Sequence, residues 1–256
     1  MANRSDLDAS LCEYLLRLGD NTLILAQRLS EWCGHGPVLE EDLALTNISL
    51  DLIGQTQLWL GLAGEIEGRG RDADALAFRR DAWDFHNALI TELPVGDFAR
   101  TSARQFLFDH WHFLLLRGLS DSADERVAAG AAKSLKEVRY HVERSDEWMR
   151  LLGDGTDESH RRTQQAIDEL WPYTGELFES DDHDRVLATA GIAIDPGSLL
   201  DEWRDTVGAV LARASIRGPE NGFMHSGGRR GVHTEHLGFL LAQMQFLQRA
   251  YPDAAW

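Results

Sequence analysis

Positive charge is in short supply in this chain. Its 256 residues carry 25 Lys and Arg against 42 Asp and Glu, a formal net charge of −17. A surface that acidic repels phosphate backbones and anionic lipid head groups, which argues against nucleic-acid binding through a broad basic face. Cysteine is scarcer still. Cys12 and Cys33 are the only two, too few for a disulfide framework over this length. Both fall in apolar helical patterns and are expected to be small buried hydrophobes. No run of 18 apolar residues offers a membrane span. The polar segment Met1 to Asp8 lacks the basic start and apolar run of a signal peptide, so a cytoplasmic protein is expected. Walker, dinucleotide and Gly-x-Ser-x-Gly fingerprints are missing too. What remains is 43% apolar and 26% charged, ordinary for a globular protein with a real core.

Helical periodicity dominates, and no segment reads convincingly as a strand. The stripe Leu11, Leu15, Leu18, Thr22, Leu25, Leu29, Trp32 alternates steps of four and three, predicting a helix from about Asp8 to Cys33 that Gly34 and Pro37 end. A second helix is predicted over Leu39–Glu67, with Leu45, Ile48, Leu52, Gln55, Trp59 and Leu62 inward and Gly68 and Gly70 closing it. A shorter one spans Ala73–Glu92, before Pro94. Asp97 reads as the N-cap of a helix to about Leu119. The next runs Ser122–Leu152, with Leu135, Val138, Val142, Ser145, Met149 and Leu152 on one face. Further helices are expected over Thr156–Phe178 (kinked at Pro172), Asp182–Ala190, Pro196–Ser215 and Thr234–Tyr251. Four long helices with polar or Gly/Pro punctuation make an all-α four-helix bundle core over about 8–153, with additional helices over about 156–251. No repeat or linker divides the chain, so 1–256 is expected to form a single domain.

From Phe106 to Leu116 the fourth helix is apolar nearly all round, which makes it central. Its exceptions are Asp109, His110 and His112, with Asp109 and His112 at i, i+3. Buried polar groups must be paired or bind something, since leaving one unsatisfied costs about 1–3 kcal/mol. Two outcomes stand open: a metal or catalytic site, or an acid–imidazole hydrogen bond that orients two helices. The next helix adds Glu137, His141 and Glu143. Carboxylates and imidazoles on long buried helices raise the di-iron bundle, which needs a Glu from each of two helices and Glu-x-x-His from each of the other two. No Glu-x-x-His occurs on the four long helices. If His141 is a retained histidine, the residue three before it is Val138. The second helix offers Leu52-x-x-Gln55, and the first offers Thr22. Only Asp109 keeps a carboxylate. The positions Thr22, Leu52, Gln55, Asp109, Val138 and His141 therefore read as a di-iron site that has lost its ligands, with no metal or catalytic residue in this chain. The competing possibility is a metal-dependent ferritin-like oxidoreductase using Asp109, His112, Glu137 and His141.

The stretch Ser226-Gly227-Gly228-Arg229-Arg230-Gly231-Val232-His233-Thr234 is locally basic and Gly-rich and leads into a helix capped near Thr234. Arg229, Arg230 and His233 are candidates for an anion or partner contact there.

Several segments taken together are familiar: Leu16-Arg17-Leu18-Gly19-Asp20-Asn21, Glu31-Trp32-Cys33-Gly34-His35, Leu50-Asp51-Leu52-Ile53-Gly54-Gln55, Ala103-Arg104-Gln105-Phe106, Lys136-Glu137 through Tyr140-His141, and Gly231-Val232-His233-Thr234-Glu235-His236-Leu237-Gly238. With them the chain, over nearly its whole length, resembles the structural C subunits of the ring 1,2-phenylacetyl-CoA epoxidases, bacterial multicomponent monooxygenases of phenylacetate catabolism. The resemblance implies a ferritin-like fold paired with a catalytic A subunit of the same fold. That A subunit holds the di-iron centre and epoxidises the ring of the CoA thioester. A small B subunit and an NADPH-dependent reductase complete the complex. It also implies that the C subunit supports A, with no cofactor and no catalytic residue of its own. The polar segment before Leu11 departs from the family pattern. Whether the CoA thioester touches this chain stays open. The acidity is expected on helix exteriors and loops, with inward faces poor in carboxylates.

Overall fold

The computed structural model describes residues 4–219, 222–252 and 254. Eleven α-helices and no strand occur among them: α1 Arg4–Ser30, α2 Leu39–Glu67, α3 Ala73–Phe78, α4 Leu89–Glu92, α5 Phe98–Leu119, α6 Glu125–Gly153, α7 Asp157–Leu170, α8 Asp182–Thr189, α9 Leu200–Arg213, α10 Glu235–Met244 and α11 Phe246–Ala250. No helix among the described residues is long and apolar enough to cross a membrane. Contacts gather into two units. One holds α1–α4 with α10 and α11; the other, Val95–Ser226, holds α5–α9.

In the first unit α1 and α2 form a long hairpin. The predicted stripe of α1 is buried from Leu11 to Leu29, and the predicted face of α2 is buried from Leu45 to Leu62. Hydroxyl pairs sit inside this seam. Thr22 and Thr56 meet at 2.9 Å, and Ser30 and Ser49 at 2.8 Å. The helix axes come close at Gly19, where a Cβ would collide with the Leu60 side chain. Helix α2 keeps its predicted bounds, because Gly68 takes the left-handed conformation (φ 67°) and donates its N–H to Gly64 O at 3.1 Å. Helix α1 begins earlier than predicted, at Arg4, and ends at Ser30, which leaves Trp32 beyond it and half-buried.

The predicted helix over 73–92 is instead three short pieces: α3, a 3₁₀ turn at Ala82–Asp84, and α4. Side chains of α1 capture the backbone groups that a helical ladder would use. Asp20 accepts from the His86 N–H at 2.8 Å, and Asn21 accepts from the Ala88 N–H at 2.7 Å. The cysteine expectation also fails. Cys12 is half-buried, with its thiol donating to Ala63 O, while Cys33 lies past the end of α1 and is exposed.

In the second unit α5 is the hub. Every residue from 101 to 112 is buried, and α6, α7 and α9 all pack against it. Asp97 caps it as predicted, accepting from the Arg100 N–H at 2.9 Å. Trp203 of α9 donates its indole N–H to Leu107 O (3.1 Å), and Trp111 donates to Leu177 O (2.9 Å). Helix α6 starts later than predicted, at Glu125, because Asp124 caps it. Its buried face runs Val127, Ala131, Ser134, Val138, His141, Ser145, Met149. Leu135, Val142 and Leu152 are rotated off that face and half-buried.

Gly64 packs flush on a neighbouring backbone: a Cβ there would strike the carbonyl oxygen of Arg71, which has no rotamer to yield. Gly64→Ala is expected to cost about 1–3 kcal/mol. Gly208 of α9 faces open space, and Gly208→Ala is expected to add about 0.5–1 kcal/mol through helix propensity. Urea denaturation of the two variants should move in opposite directions.

Candidate functional site

The first unit contains a buried polar network that the helix pattern of α1 conceals. On the side of α1 turned to the 80–92 segment stand Glu13, Arg17, Asp20, Asn21 and Arg28. Asp20 is fully buried and bound in bidentate fashion by Arg80, whose Nη1 lies 3.0 Å from Oδ2. The Arg80 guanidinium also donates to Asp84 O at 2.8 Å and stacks 4.3 Å above the Phe85 ring. A carboxylate with no water around it must find full compensation of this kind, since an unpaired buried charge costs several kcal/mol.

Glu92, the last residue of α4, is the second centre. Its Oε1 accepts from the Thr234 N–H (2.6 Å), and its Oε2 accepts from Asn87 (2.9 Å) and His233 (2.8 Å). The backbone carbonyl of Glu92 takes two donations from Arg28, at 2.9 and 2.7 Å. His233 Nε2 sits 2.8 Å from Phe85 O. Both ring nitrogens therefore face acceptors, and only the imidazolium can donate to both. Burial alone would lower the His233 pKa. The Glu92 carboxylate and the Phe85 carbonyl outweigh it and hold the pKa above the ordinary 6.5. His86 follows the same logic: burial opposes its charge, while Glu13 at 2.7 Å and Arg229 O at 3.2 Å raise its pKa.

These bonds seat the 227–236 loop. Gly228 and Gly231 bring it onto the backbone of Asn87 and Trp83, and Gly231 has φ 73°. His233, a predicted anion contact, has its ring turned to Glu92 instead. Arg230 is exposed and Arg229 half-buried, both in the 3₁₀ turn Gly228–Arg230.

The positions expected to be remnants of a metal site divide between the units. In the first, Thr22 spends its hydroxyl on Thr56 and on the carbonyls of Leu18 and Gly19; Leu52 is hydrocarbon and fully buried, and Gln55 is an amide. In the second, Val138 is buried hydrocarbon, and Asp109 and His141 are buried as well. Burial raises the Asp109 pKa to about 6, against the pull of His141, His110, Arg144 and the Ser145 hydroxyl. Burial, with help from His141, lowers the His112 pKa to about 3, so that ring is neutral. His110 is bound to Asp146 at 2.7 Å. The alternative ligand set of Asp109, His112, Glu137 and His141 is not assembled: no three His, Cys, Asp or Glu side chains among the described residues come together as metal ligands would. Leu52 and Val138 are hydrocarbon and the Thr22 hydroxyl is engaged, so these three positions offer no iron ligand within their own units.

Five acids among the described residues are nonetheless buried, two of them on the long helices α1 and α5. Asp20, Glu92, Asp109, Glu176 and Asp184 are all at most 1% exposed. Asp20, Arg80 and Glu92 went unrecognised because their partners are 60 residues or more away in sequence. The signal available was an acid and an amide, Asp20-Asn21, within the helical stretch that carries the apolar stripe of α1.

Asp20→Ala should cost about 3–5 kcal/mol by stranding the Arg80 charge, and Asp20→Ala with Arg80→Met should cost less than the sum of the single changes, read by urea denaturation. Asp109, His233 and His86, whose pKa values are all raised, make stability fall as pH rises. Asp109, raised from 3.8 to about 6, contributes stability that is whole below pH 3.8 and lost through pH 6. His233 contributes stability that is whole below pH 6.5 and lost as pH climbs through its raised pKa. The difference between wild type and Asp109→Asn should therefore change between about pH 4 and 6, and that for His233→Gln above about 6.5, in denaturation midpoints taken across that range.

Sequence comparison supplies the family. The family model described as "Phenylacetic acid catabolic protein" matches residues 2–256. The chain is 50% identical over 246 residues to the Escherichia coli (strain K12) protein named as the C subunit of 1,2-phenylacetyl-CoA epoxidase, covering 96% of this chain and 99% of that protein. With its all-α architecture of long helices, the chain belongs to the phenylacetic acid catabolic protein family and to the ferritin-like fold class.

Proposed function

We propose that this chain is the structural, non-catalytic C subunit of a 1,2-phenylacetyl-CoA epoxidase, supporting a di-iron catalytic A subunit of the same fold in aerobic phenylacetate catabolism. The observation that carries this is the donor set. Leu52 and Val138 are fully buried hydrocarbon where a di-iron bundle needs carboxylates, and the Thr22 hydroxyl is tied to Thr56. A helical frame whose metal positions hold apolar and hydrogen-bonded side chains keeps the shape of the bundle without its redox chemistry. The near full-length identity to a protein named as the C subunit of that epoxidase supports the same role.

On this proposal the di-iron centre, the oxygen chemistry and the ring-binding site belong to the A subunit, with the B and reductase subunits acting in the same complex. The chain contributes surface and rigidity. On the same proposal residues 1–256 act as a single ferritin-like domain. Exposed Arg230, with Arg229, is assigned to an anionic contact within the complex, the CoA-thioester phosphates being the ligand to test.

Co-expression with an A subunit should yield one co-migrating complex at micromolar concentration; separate migration would overturn the assignment. In the reconstituted complex, Asp109→Asn and His141→Gln should leave epoxidation of phenylacetyl-CoA within about twofold once assembly is verified, because neither touches a reacting atom. A loss of 10²-fold or more in an intact complex, the scale expected for removing a catalytic acid or base, would make this chain a catalyst.

A further inference from the structure

Four polar side chains stand on one line of α5. Ser102, Gln105, Asp109 and His112 follow one another in steps of three, four and three, which keeps them on one side of a helix. They are 3%, 1%, 1% and 2% exposed. Each keeps an atom that meets no donor or acceptor among the described residues: Ser102 Oγ, Gln105 Oε1, Asp109 Oδ2 and His112 Nδ1. Within the line, Gln105 Nε2 reaches Asp109 Oδ1 only at 3.5 Å. Helix α6 stands beside it, with the Ser145 hydroxyl and the His141 ring close to Asp109, and the same His141 ring close to His112. His110, off this line on the same helix, is by contrast bonded to Asp146 at 2.7 Å.

Hydrogen-bonding capacity left unused in a protein interior is strongly disfavoured, so buried polar atoms find a partner in protein or in ordered water. One such atom can be relieved by a local rotation. Four in succession, over a helical rise of about 15 Å from 102 to 112, require a partner that extends along the whole line. We propose that a file of internal water molecules lies along this line of α5, one at each of the four atoms, bound to the side chains and to one another.

Chemistry and access select water over other occupants. The Gln105 and Asp109 oxygens accept, the Ser102 hydroxyl donates or accepts, and the neutral His112 ring does either according to its tautomer. Water, which donates twice and accepts twice, answers all of them. An anion would be repelled by the Asp109 carboxylate. A metal ion needs a group of ligating side chains, and the described residues gather no three of them. A larger organic ligand needs an opening, and none of the four side chains is more than 3% exposed. The spacing agrees as well. Side chains three or four residues apart on a helix stand about 5–6 Å apart, close to two hydrogen-bond lengths of about 2.8 Å, so waters at successive atoms are linked directly or through one more. A chain of this length holds about nine internal waters at the usual frequency, so their positions, not their number, carry the proposal. It is independent of the epoxidase role.

A high-resolution crystal structure of the full chain should show ordered water within about 2.6–3.2 Å of at least three of the four atoms. Water at two or fewer, or amide and hydroxyl rotations that pair the atoms with protein groups, overturns the file. Density there for an ion or a larger solute overturns water as the occupant. In solution, Gln105→Met with His112→Phe keeps the bulk of both side chains and removes their polar atoms. The pair should lower the number of long-lived internal waters by two or more, counted by ¹⁷O relaxation dispersion against wild type. An unchanged count in the folded variant overturns the proposal. Where the pair does not fold, Gln105→Met alone takes its place, with a loss of at least one water expected and no loss overturning the file.

Discussion

The ion pair between Asp20 and Arg80 organises the first unit. Asp20 sits in the middle of α1 with no exposed surface, so its charge had to be compensated from within the protein. Arg80 and the backbone N–H of His86 both serve it. Once Arg80 is held there, the chain after α3 must run back along α1, and its N–H groups are spent on Asp20 and Asn21 rather than on a helical ladder. The 82–92 segment then delivers Glu92 to Arg28 and His233. The return segment 227–236 is tied in by two bonds to the Glu92 carboxylate. One buried charge thus propagates through three stretches of chain remote in sequence. Such a network confers specificity more readily than raw stability, because the desolvation it incurs offsets much of the Coulomb gain.

A different economy governs the positions where a di-iron bundle would hold its ligands. Carboxylates clustered without a metal repel one another and resist burial. A bundle that gives up iron must lose those acids or protonate them. On the proposed reading Leu52 and Val138 are the first solution, and burial moves Asp109 part of the way toward the second by raising its pKa to about 6. Thr22 and Thr56 are a third, a hydroxyl pair satisfied by its own helices. These replacements keep the core filled and the long helices in place, which is what a supporting subunit requires.

The long helices were legible in the sequence because their signals are local. The 3.6-residue period, the Asp97 cap and the Gly68 stop all act within a turn or two, and α2 and α5 follow them closely. The 73–92 segment was not legible, because Asp20 and Asn21 compete for its backbone from more than 60 residues away. That Leu52 and Val138 cannot hold a metal could be read from residue type alone, since hydrocarbon cannot coordinate one in any fold. The ring of His233 could not be placed in this way. A basic Gly-rich loop in an acidic chain suggests an anion, and the anion it meets is the protein's own Glu92. Cys33 misled for a simpler reason: the apolar pattern of α1 continues three residues past the end of the helix, so the periodicity persists where the burial does not.

The net charge of −17 acquires a structural meaning from this distribution. Asp20 and Glu92 are matched within the first unit by Arg80, Arg28 and His233, so they add little to the external field. Many of the other acids are exposed, where each raises the repulsion felt by an approaching acidic protein. At 0.1 M salt that repulsion decays over about 10 Å, comparable to the spacing of packed helices. A helix that docks must therefore approach along a line free of charge, whatever the wider surface carries. Along α2 the acids Glu40, Glu41, Asp42, Glu65 and Glu67 lie toward the ends, and half-buried Asp51 stands to one side. Leu43 through Gly61 present none on the outward line. The outward line of α2 is thus the stretch of this helix where an approaching surface meets no fixed charge.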